Sequence, residues 1–157
     1  QGALPFVRHH NIKYGGQFPI WVAVELFTFG MLGSLFDLMR ENDQRAVSRE
    51  YNLSPESLSR LIASAVDVRN ICAHYNRLYN RVLDDQPLLP NRLRLYESDR
   101  LFPLLLAFAH ILGRERVLNR LITGLSLLEA DFPEADLSLC GFPEDWHSIL
   151  EAEAAQA

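Results

Sequence analysis

Residues 54–81 read SPESLSRLIASAVDVRNICAHYNRLYNR. Ser54 is a residue type that caps helices, Pro55 suits the first helical position, and Glu56 favours the positive end of a helix. Apolar residues then recur at helical spacing, and no glycine or further proline interrupts them. The pattern predicts a single helix from Pro55 to about Arg81, against which the rest of the chain packs.

The two faces of this predicted helix differ in polarity. With a turn of about 100° per residue, the apolar face, predicted to be core, comprises Leu61, Ala65, Val68, Cys72 and Tyr79. The polar face comprises Asn70, His74, Arg77 and Arg81, and Arg69, Asn76 and Asn80 lie on a flank. An ordinary solvated helix face with arginines has the same pattern, so the polar stripe alone does not establish a functional site.

Arg69 and His74 are the two residues of this helix best suited to phosphate chemistry. An arginine is always charged and presents a planar fork of donors to phosphate oxygens, and a histidine can carry a proton near neutral pH. The two are five positions apart, which is roughly 140° on a straight helix. They would meet on one phosphate only through a distorted helix, an arginine that wraps round, or a second copy of the chain.

The remaining sequence predicts further helices and no strands. The expected elements are a lead-in loop at 1–18, helices at 19–40, 43–51, 99–112 and 114–129 with a break at Gly113, a loop at 84–91, and an irregular tail at 132–157 with one turn near 144–150. Trp21 and Trp146 are expected to pack in the interior. The sequence therefore predicts one all-α domain over residues 1–157, a bundle of four to five helices.

The composition is that of a globular protein, with 48% hydrophobic and 22% charged residues. The apolar stretch at 18–36 contains Glu25, so we expect a core helix rather than a membrane span, with Glu25 in a buried ion pair. Cys72 and Cys140 give neither a disulfide framework nor the spacing of metal ligands. We expect no metal, no cofactor, no membrane partner and a cytoplasmic location.

The formal net charge of −5 is unusual for a protein that binds RNA. The cations are unevenly placed, however, because residues 69–81 hold three arginines and no carboxylate, whereas residues 129–153 hold no lysine or arginine. A basic cleft on an acidic body would suit a short, flexible RNA segment. His10 and Lys13 could line its path, or they could simply lie on a charged surface loop.

Residues 69–81, RNICAHYNRLYNR, resemble the signature of the Abi-like (abortive infection) family, which belongs to the HEPN superfamily of helical ribonucleases. The mark of that superfamily is an arginine followed, after four to six residues, by a histidine, and four residues intervene here. Residues 9–16, 19–30 and 141–146 are similar to other blocks of the family. Its members are longer at the N-terminus, so the resemblance implies that this chain is a C-terminal portion.

The resemblance implies a HEPN-like bundle that cleaves RNA without a metal, as a toxin-like enzyme that limits phage spread. Arg69 and His74 would be catalytic, and the residues that bind RNA or support the site would be Asn70, Asn76, Arg77, Asn80, Arg81, His10 and Lys13. A homodimer would bring two motifs together, and an antitoxin or regulatory partner would fit the same role. The alternatives are a catalytically silent HEPN-type module that binds RNA or protein, and a plain helical dimerisation domain.

Overall fold

The computed structural model describes residues 4–112 and 115–155, in which all the regular secondary structure is helical and no strand is present. The α-helices are α1 (Pro5–Tyr14), α2 (Ile20–Val24), α3 (Phe29–Leu38), α4 (Glu41–Arg49), α5 (Pro55–Ala73), α6 (Phe102–Leu112), α7 (Glu115–Asp131) and α8 (Trp146–Ala154). Short 3-10 turns lie at Asn91–Tyr96 and Leu137–Cys140. The all-α bundle is confirmed, with more and shorter helices than the sequence predicts. The predicted break at Gly113 lies outside the described residues.

The predicted lead-in loop at 1–18 is wrong, because most of it is the helix α1. Pro5 occupies the first turn, where its missing N–H costs no hydrogen bond. Gly15 ends the helix in the left-handed conformation with φ of 62°, and its amide donates to the carbonyl of His10.

The predicted helix from Pro19 to Arg40 is also wrong, because it is divided into α2 and α3. Thr28 starts α3 by accepting a hydrogen bond from the amide of Met31 at 3.2 Å, and this cap competes with continuation of α2. Glu25 lies exposed where α2 ends, so the predicted buried ion pair is wrong. Trp21, predicted to be interior, is 73% exposed. None of the described helices has the length and apolarity needed to cross a bilayer.

The start of α5 is as predicted, since the Ser54 hydroxyl accepts a hydrogen bond from the amide of Ser57 at 3.0 Å. Leu61 and Ala65 are buried, but at the end of the helix Ile71 is buried in place of Cys72, which is exposed. The ideal projection therefore fails in the final turn of α5, where Ile71 rather than Cys72 faces the core.

The main core is formed by residues of α5, α6, α7 and α8 and of the segments that connect them. Its fully buried side chains include Phe102, Leu104, Leu106 and Leu150. The ring of Phe142 packs 5.0 Å from Phe102 and 5.5 Å from Trp146, measured between centroids. Trp146 is only 3% exposed, which confirms its predicted packing role. The prediction of an irregular tail is wrong from this residue onward, because α8 closes the core.

An ion pair between a buried carboxylate and a partly exposed arginine holds α8 in place. The carboxylate of Glu153, 3% exposed, accepts hydrogen bonds from both terminal nitrogens of Arg92, with 2.8 Å between Nη2 and Oε2. The Nδ1 atom of His110 lies 3.6 Å from the same Oε2. The hydrogen bond from Arg92 to Glu153, together with the carboxylate charge, raises the pKa of Arg92. This cluster ties the last helix to residues 92 and 110.

Candidate functional site

The catalytic candidates lie at the carboxyl end of α5, not within a longer helix. α5 ends at Ala73, and the amide of His74, the C-cap, donates to the carbonyl of Asn70 at 3.0 Å. Tyr75 then takes a positive φ of 54°, which ends the helix. Residues 74–83, termed the motif loop, are not helical. The predicted continuation to Arg81 is therefore wrong, and so is the helical stripe of Asn70, His74, Arg77 and Arg81.

Asn70 connects the two catalytic candidates. Its side-chain oxygen accepts a hydrogen bond from Nη1 of Arg69 at 3.0 Å, and its carbonyl accepts the bond from the amide of His74. Arg69, Asn70 and His74 are all exposed. The end of α5 therefore presents a guanidinium and an imidazole to solvent, with Asn70 fixing the guanidinium beside it.

The charge near this helix end comes from side chains. Residues 69–83 contain Arg69, Arg77 and Arg81 and no carboxylate, and all three arginines are exposed, as is Asn76. The carboxyl end of a helix is the negative end of its dipole and does not attract phosphate. Any affinity for an anion at this place must therefore come from side chains, chiefly from these guanidinium groups.

Four hydrogen bonds attach the motif loop to residues 99–140. The Leu83 amide donates to the carbonyl of Asp99 at 2.9 Å. Arg100 Nη1 donates to Oδ1 of Asn80 at 2.9 Å, and the Asn80 amide donates to Sγ of Cys140 at 3.4 Å. The amide of Asp136 donates to the Tyr79 hydroxyl at 3.0 Å. Tyr79, predicted to be core, is 38% exposed and serves as an anchor instead. The position of the loop thus depends on distant residues.

Backbone conformation makes these anchors possible. Asn80 has φ of 53°, which asparagine tolerates better than most residues. Gly141 has φ of 83°, and a Cβ there would lie 2.7 Å from Cβ of Arg100, so glycine allows the arginine to pass. Hydrogen bonds from the hydroxyl and the amide of Ser138 lower the pKa of Asp136. Gly141 lies in a block that the sequence singles out, whereas Arg100 and Asp136 carry no signal in the sequence.

The cleft between α3 and α5 is acidic. It has a volume of about 350 Å³, and its lining includes Asp37, Asp67 and Asp85 together with Asn70. Like charges would repel a phosphate backbone from it, so this cleft does not suit an anionic ligand. Within the described ranges, no group of histidine, cysteine or acidic residues could hold a metal ion.

His10 and Lys13 lie on α1, and their contacts are with neighbouring aromatic residues rather than with the motif loop. The His10 ring stacks on Phe18 with centroids 5.0 Å apart. The Lys13 ammonium lies 5.5 Å from the centroid of the Tyr14 ring. The structure therefore places these two predicted residues in a separate aromatic cluster.

The model of a family described as Abi-like protein matches residues 1–80, just over half of the 157 residues. The chain belongs to the Abi-like protein family. The match covers α1 to α5, Arg69, His74 and the loop as far as Asn80, and it ends before Arg100 and Cys140, which hold the loop. No curated protein and no solved structure matches the chain. Family membership associates this Abi-like protein with abortive infection, as the resemblance of residues 69–81 predicts.

We expect the motif loop to open more often when Arg100 is replaced by methionine, which keeps much of the side-chain length but removes the donors to Asn80. A hydrogen bond of this kind contributes about 1 kcal/mol, so the open population should rise roughly 5-fold. Trypsin cleavage after Arg77 and Arg81, followed by mass spectrometry, measures this opening. Arg45→Met, on the surface of α4, is the matched control. Equal cleavage rates in Arg100→Met and the parent would refute the anchoring role.

Proposed function

We propose that this Abi-like protein is a metal-independent endoribonuclease of the abortive-infection, toxin-like type, within the HEPN superfamily. The observation that supports this proposal is the presence of both Arg69 and His74, each exposed, at the end of α5, inside the part that matches the family. The adjoining motif loop adds cations and no carboxylate as far as residue 83. This part of the chain thus supplies both a phosphate-binding group and a proton carrier.

The proposed reaction begins when a ribose 2′-OH attacks the adjacent phosphorus, and it ends when the bond to the 5′-oxygen breaks. His74 removes the proton from the 2′-OH or protonates the leaving 5′-oxygen. Arg69 stabilises the negative charge that builds up on the pentavalent phosphorus. The products are a 2′,3′-cyclic phosphate and a 5′-OH. DNA is not a substrate because it lacks the attacking hydroxyl.

Other residues of the site hold the reacting groups in position or bind flanking phosphates. Asn70 holds the guanidinium of Arg69, and Arg77 and Arg81 contact flanking phosphates, with Asn76 beside them. Asn80 is engaged by Arg100, so its role is to hold the loop rather than to contact RNA. Tyr75, which is 98% exposed, is placed to stack on a base.

We also propose that the active form is a symmetric homodimer. Arg69 and His74 are five positions apart, and no hydrogen bond joins them in the part of the chain that the structure describes. A two-fold axis near the end of α5 would set Arg69 of one protomer beside His74 of the other. Each of the two sites would then contain residues from both chains.

Mixing two inactive variants tests the shared site. Arg69→Ala supplies an intact His74, and His74→Ala supplies an intact Arg69, so a mixed dimer has one complete site and one empty site. Random exchange makes half of the dimers mixed, and half of their sites complete, so activity should return to about one quarter of the parent level. If the mixture stays inactive after exchange has been verified, each site belongs to one chain and the shared arrangement is wrong.

The proposed activity itself is tested with end-labelled single-stranded RNA in EDTA, beside the same sequence as DNA. We expect the RNA to be cut and the DNA to stay intact. The competing function is a catalytically silent module that binds RNA or a protein partner, and the net charge of −5 favours the protein partner over RNA. Binding of RNA without cleavage would support that alternative and reject the nuclease.

A further inference from the structure

A small aromatic pocket lies where α1 ends. It has a volume of about 290 Å³ and is lined by His10, Tyr14, Gln17, Phe18 and Pro19. Three of these residues carry aromatic rings, and Gln17 offers an amide donor and acceptor. We propose that this pocket binds one base of a single-stranded nucleic acid, as a subsite of the ribonuclease proposed above, on which this inference rests.

Contacts among the rings and with the backbone of α1 hold the rings of the pocket in place. His10 and Phe18 stack with centroids 5.0 Å apart and planes 17° from parallel, and Tyr14 lies 5.3 Å from His10. Nδ1 of His10 donates to the carbonyl of Phe6 at 3.0 Å, which fixes the imidazole plane. A base that stacks on a fixed surface orders few protein groups, so little of the stacking energy is lost.

Two glycines form the turn that brings one wall of the pocket beside α1. Gly15 and Gly16 have φ of 62° and 80°, a conformation that other residues adopt only with strain. The amide of Gln17 then donates to the carbonyl of Tyr14 at 3.1 Å. This turn brings Gln17 and Phe18 back beside α1, so that the wall of the pocket is set by the backbone.

The charge around the pocket suits a phosphate backbone. Arg8 and Lys13 are exposed, and residues 4–24 contain no carboxylate, although the whole protein is acidic. Flat rings combined with nearby cations are the features by which proteins hold single-stranded nucleic acid. A lipid surface or an aliphatic helix would gain little from stacked rings, so a base fits this pocket better than either.

Fluorescence of a short single-stranded RNA that carries one 2-aminopurine tests the pocket. The His74→Ala background prevents cleavage, and the same sequence as DNA serves as a second probe. Stacking of one base on an aromatic ring strengthens binding by a large factor. Phe18→Leu should therefore weaken binding of both probes by roughly 5- to 100-fold and restore the fluorescence of 2-aminopurine. Lys13→Gln should lower the salt slope by roughly 0.7. Phe132→Leu, at an exposed phenylalanine elsewhere, is the matched control.

The outcomes separate this pocket from the cleavage reaction. If Phe18→Leu and His10→Ala both keep the parent's affinity for the probes and its helical circular dichroism, the pocket does not bind a base. The proposal would also be overturned if Phe18→Leu lost binding to anionic lipid vesicles but kept its affinity for RNA. It would fail as well if the parent bound neither probe. If the pocket variants weaken binding but the parent cuts no RNA, the pocket stands and the nuclease fails.

Discussion

Replacing His74 by alanine is expected to abolish the RNA cleavage proposed for this Abi-like protein, and replacing Arg69 is expected to do the same. A positioned acid or base contributes about 10²–10⁴ in rate, and a donor that stabilises developing charge contributes about 10²–10³. Each variant should therefore lose at least about 100-fold in the initial rate on labelled RNA in EDTA. Both side chains are exposed, so the melting temperature and the helical circular dichroism should hardly change.

Arg120→Ala is the matched control for Arg69→Ala, because Arg120 is an exposed arginine on α7. It removes one positive charge at another place and should cleave at the parent rate. Parent-like cleavage by either site variant would remove that residue from the mechanism. Loss of activity in Arg120→Ala as well would mean that overall charge, rather than the site, controls the rate.

Arg92→Ala is expected to have the largest effect on stability. Glu153 is 3% exposed, and without Arg92 its carboxylate would lose its principal counter-charge inside the protein. Removal of one partner from such a pair costs about 3 kcal/mol, which for a chain of this length lowers the melting temperature by roughly 10 °C. Urea unfolding followed by circular dichroism measures the change.

Arg40→Ala provides the comparison, because Arg40 pairs with Asp43 on the exposed surface of α4. That pair should contribute less than about 1 kcal/mol. The double variant Arg92→Met with Glu153→Met should regain most of the lost stability, since it removes the unpaired charge. An Arg92→Ala variant as stable as Arg40→Ala would show that the pair does not hold α8.

The parts of the fold that the sequence predicts are those set by neighbouring residues. Ser54 begins α5 because its hydroxyl accepts a hydrogen bond from the amide three residues ahead. Leu61 and Ala65 are buried because their spacing matches a helix. The all-helical class follows from the same local patterns. Trp146 is buried as predicted, although the helix that it begins is not apparent from local signals.

The end of α5 depends on interactions that periodicity does not contain. Tyr75 and Asn80 adopt positive φ without being glycine, and Asn80 is held by Arg100 and Cys140, which are 20 and 60 residues further along the chain. Helical projection therefore continued α5 too far and placed Cys72 in the core. In the same way, exposure of Glu25 follows from the cap at Thr28, which interrupts an otherwise continuous apolar pattern.

For the site, the sequence predicts the candidate residues but not their arrangement. Arg69 and His74 are exposed near each other along α5, yet the predicted helical stripe does not exist. RNA binding, the homodimer and the catalytic roles stay predictions. The acidic cleft beside Asn70 adds a constraint absent from the sequence pattern, since it disfavours one side of α5 as the path of the proposed RNA substrate.

The chemistry of the cut ends tests the central claim most directly. RNA incubated with the parent protein in EDTA should yield fragments that carry a 2′,3′-cyclic phosphate or its hydrolysed form, and partner fragments with a 5′-OH that polynucleotide kinase labels without prior dephosphorylation. A single 2′-deoxy substitution at the cleaved position should prevent the cut. Fragments with a 5′-phosphate and a 3′-OH, or cutting at the deoxy position, would contradict attack by the ribose 2′-OH at the Arg69 and His74 site.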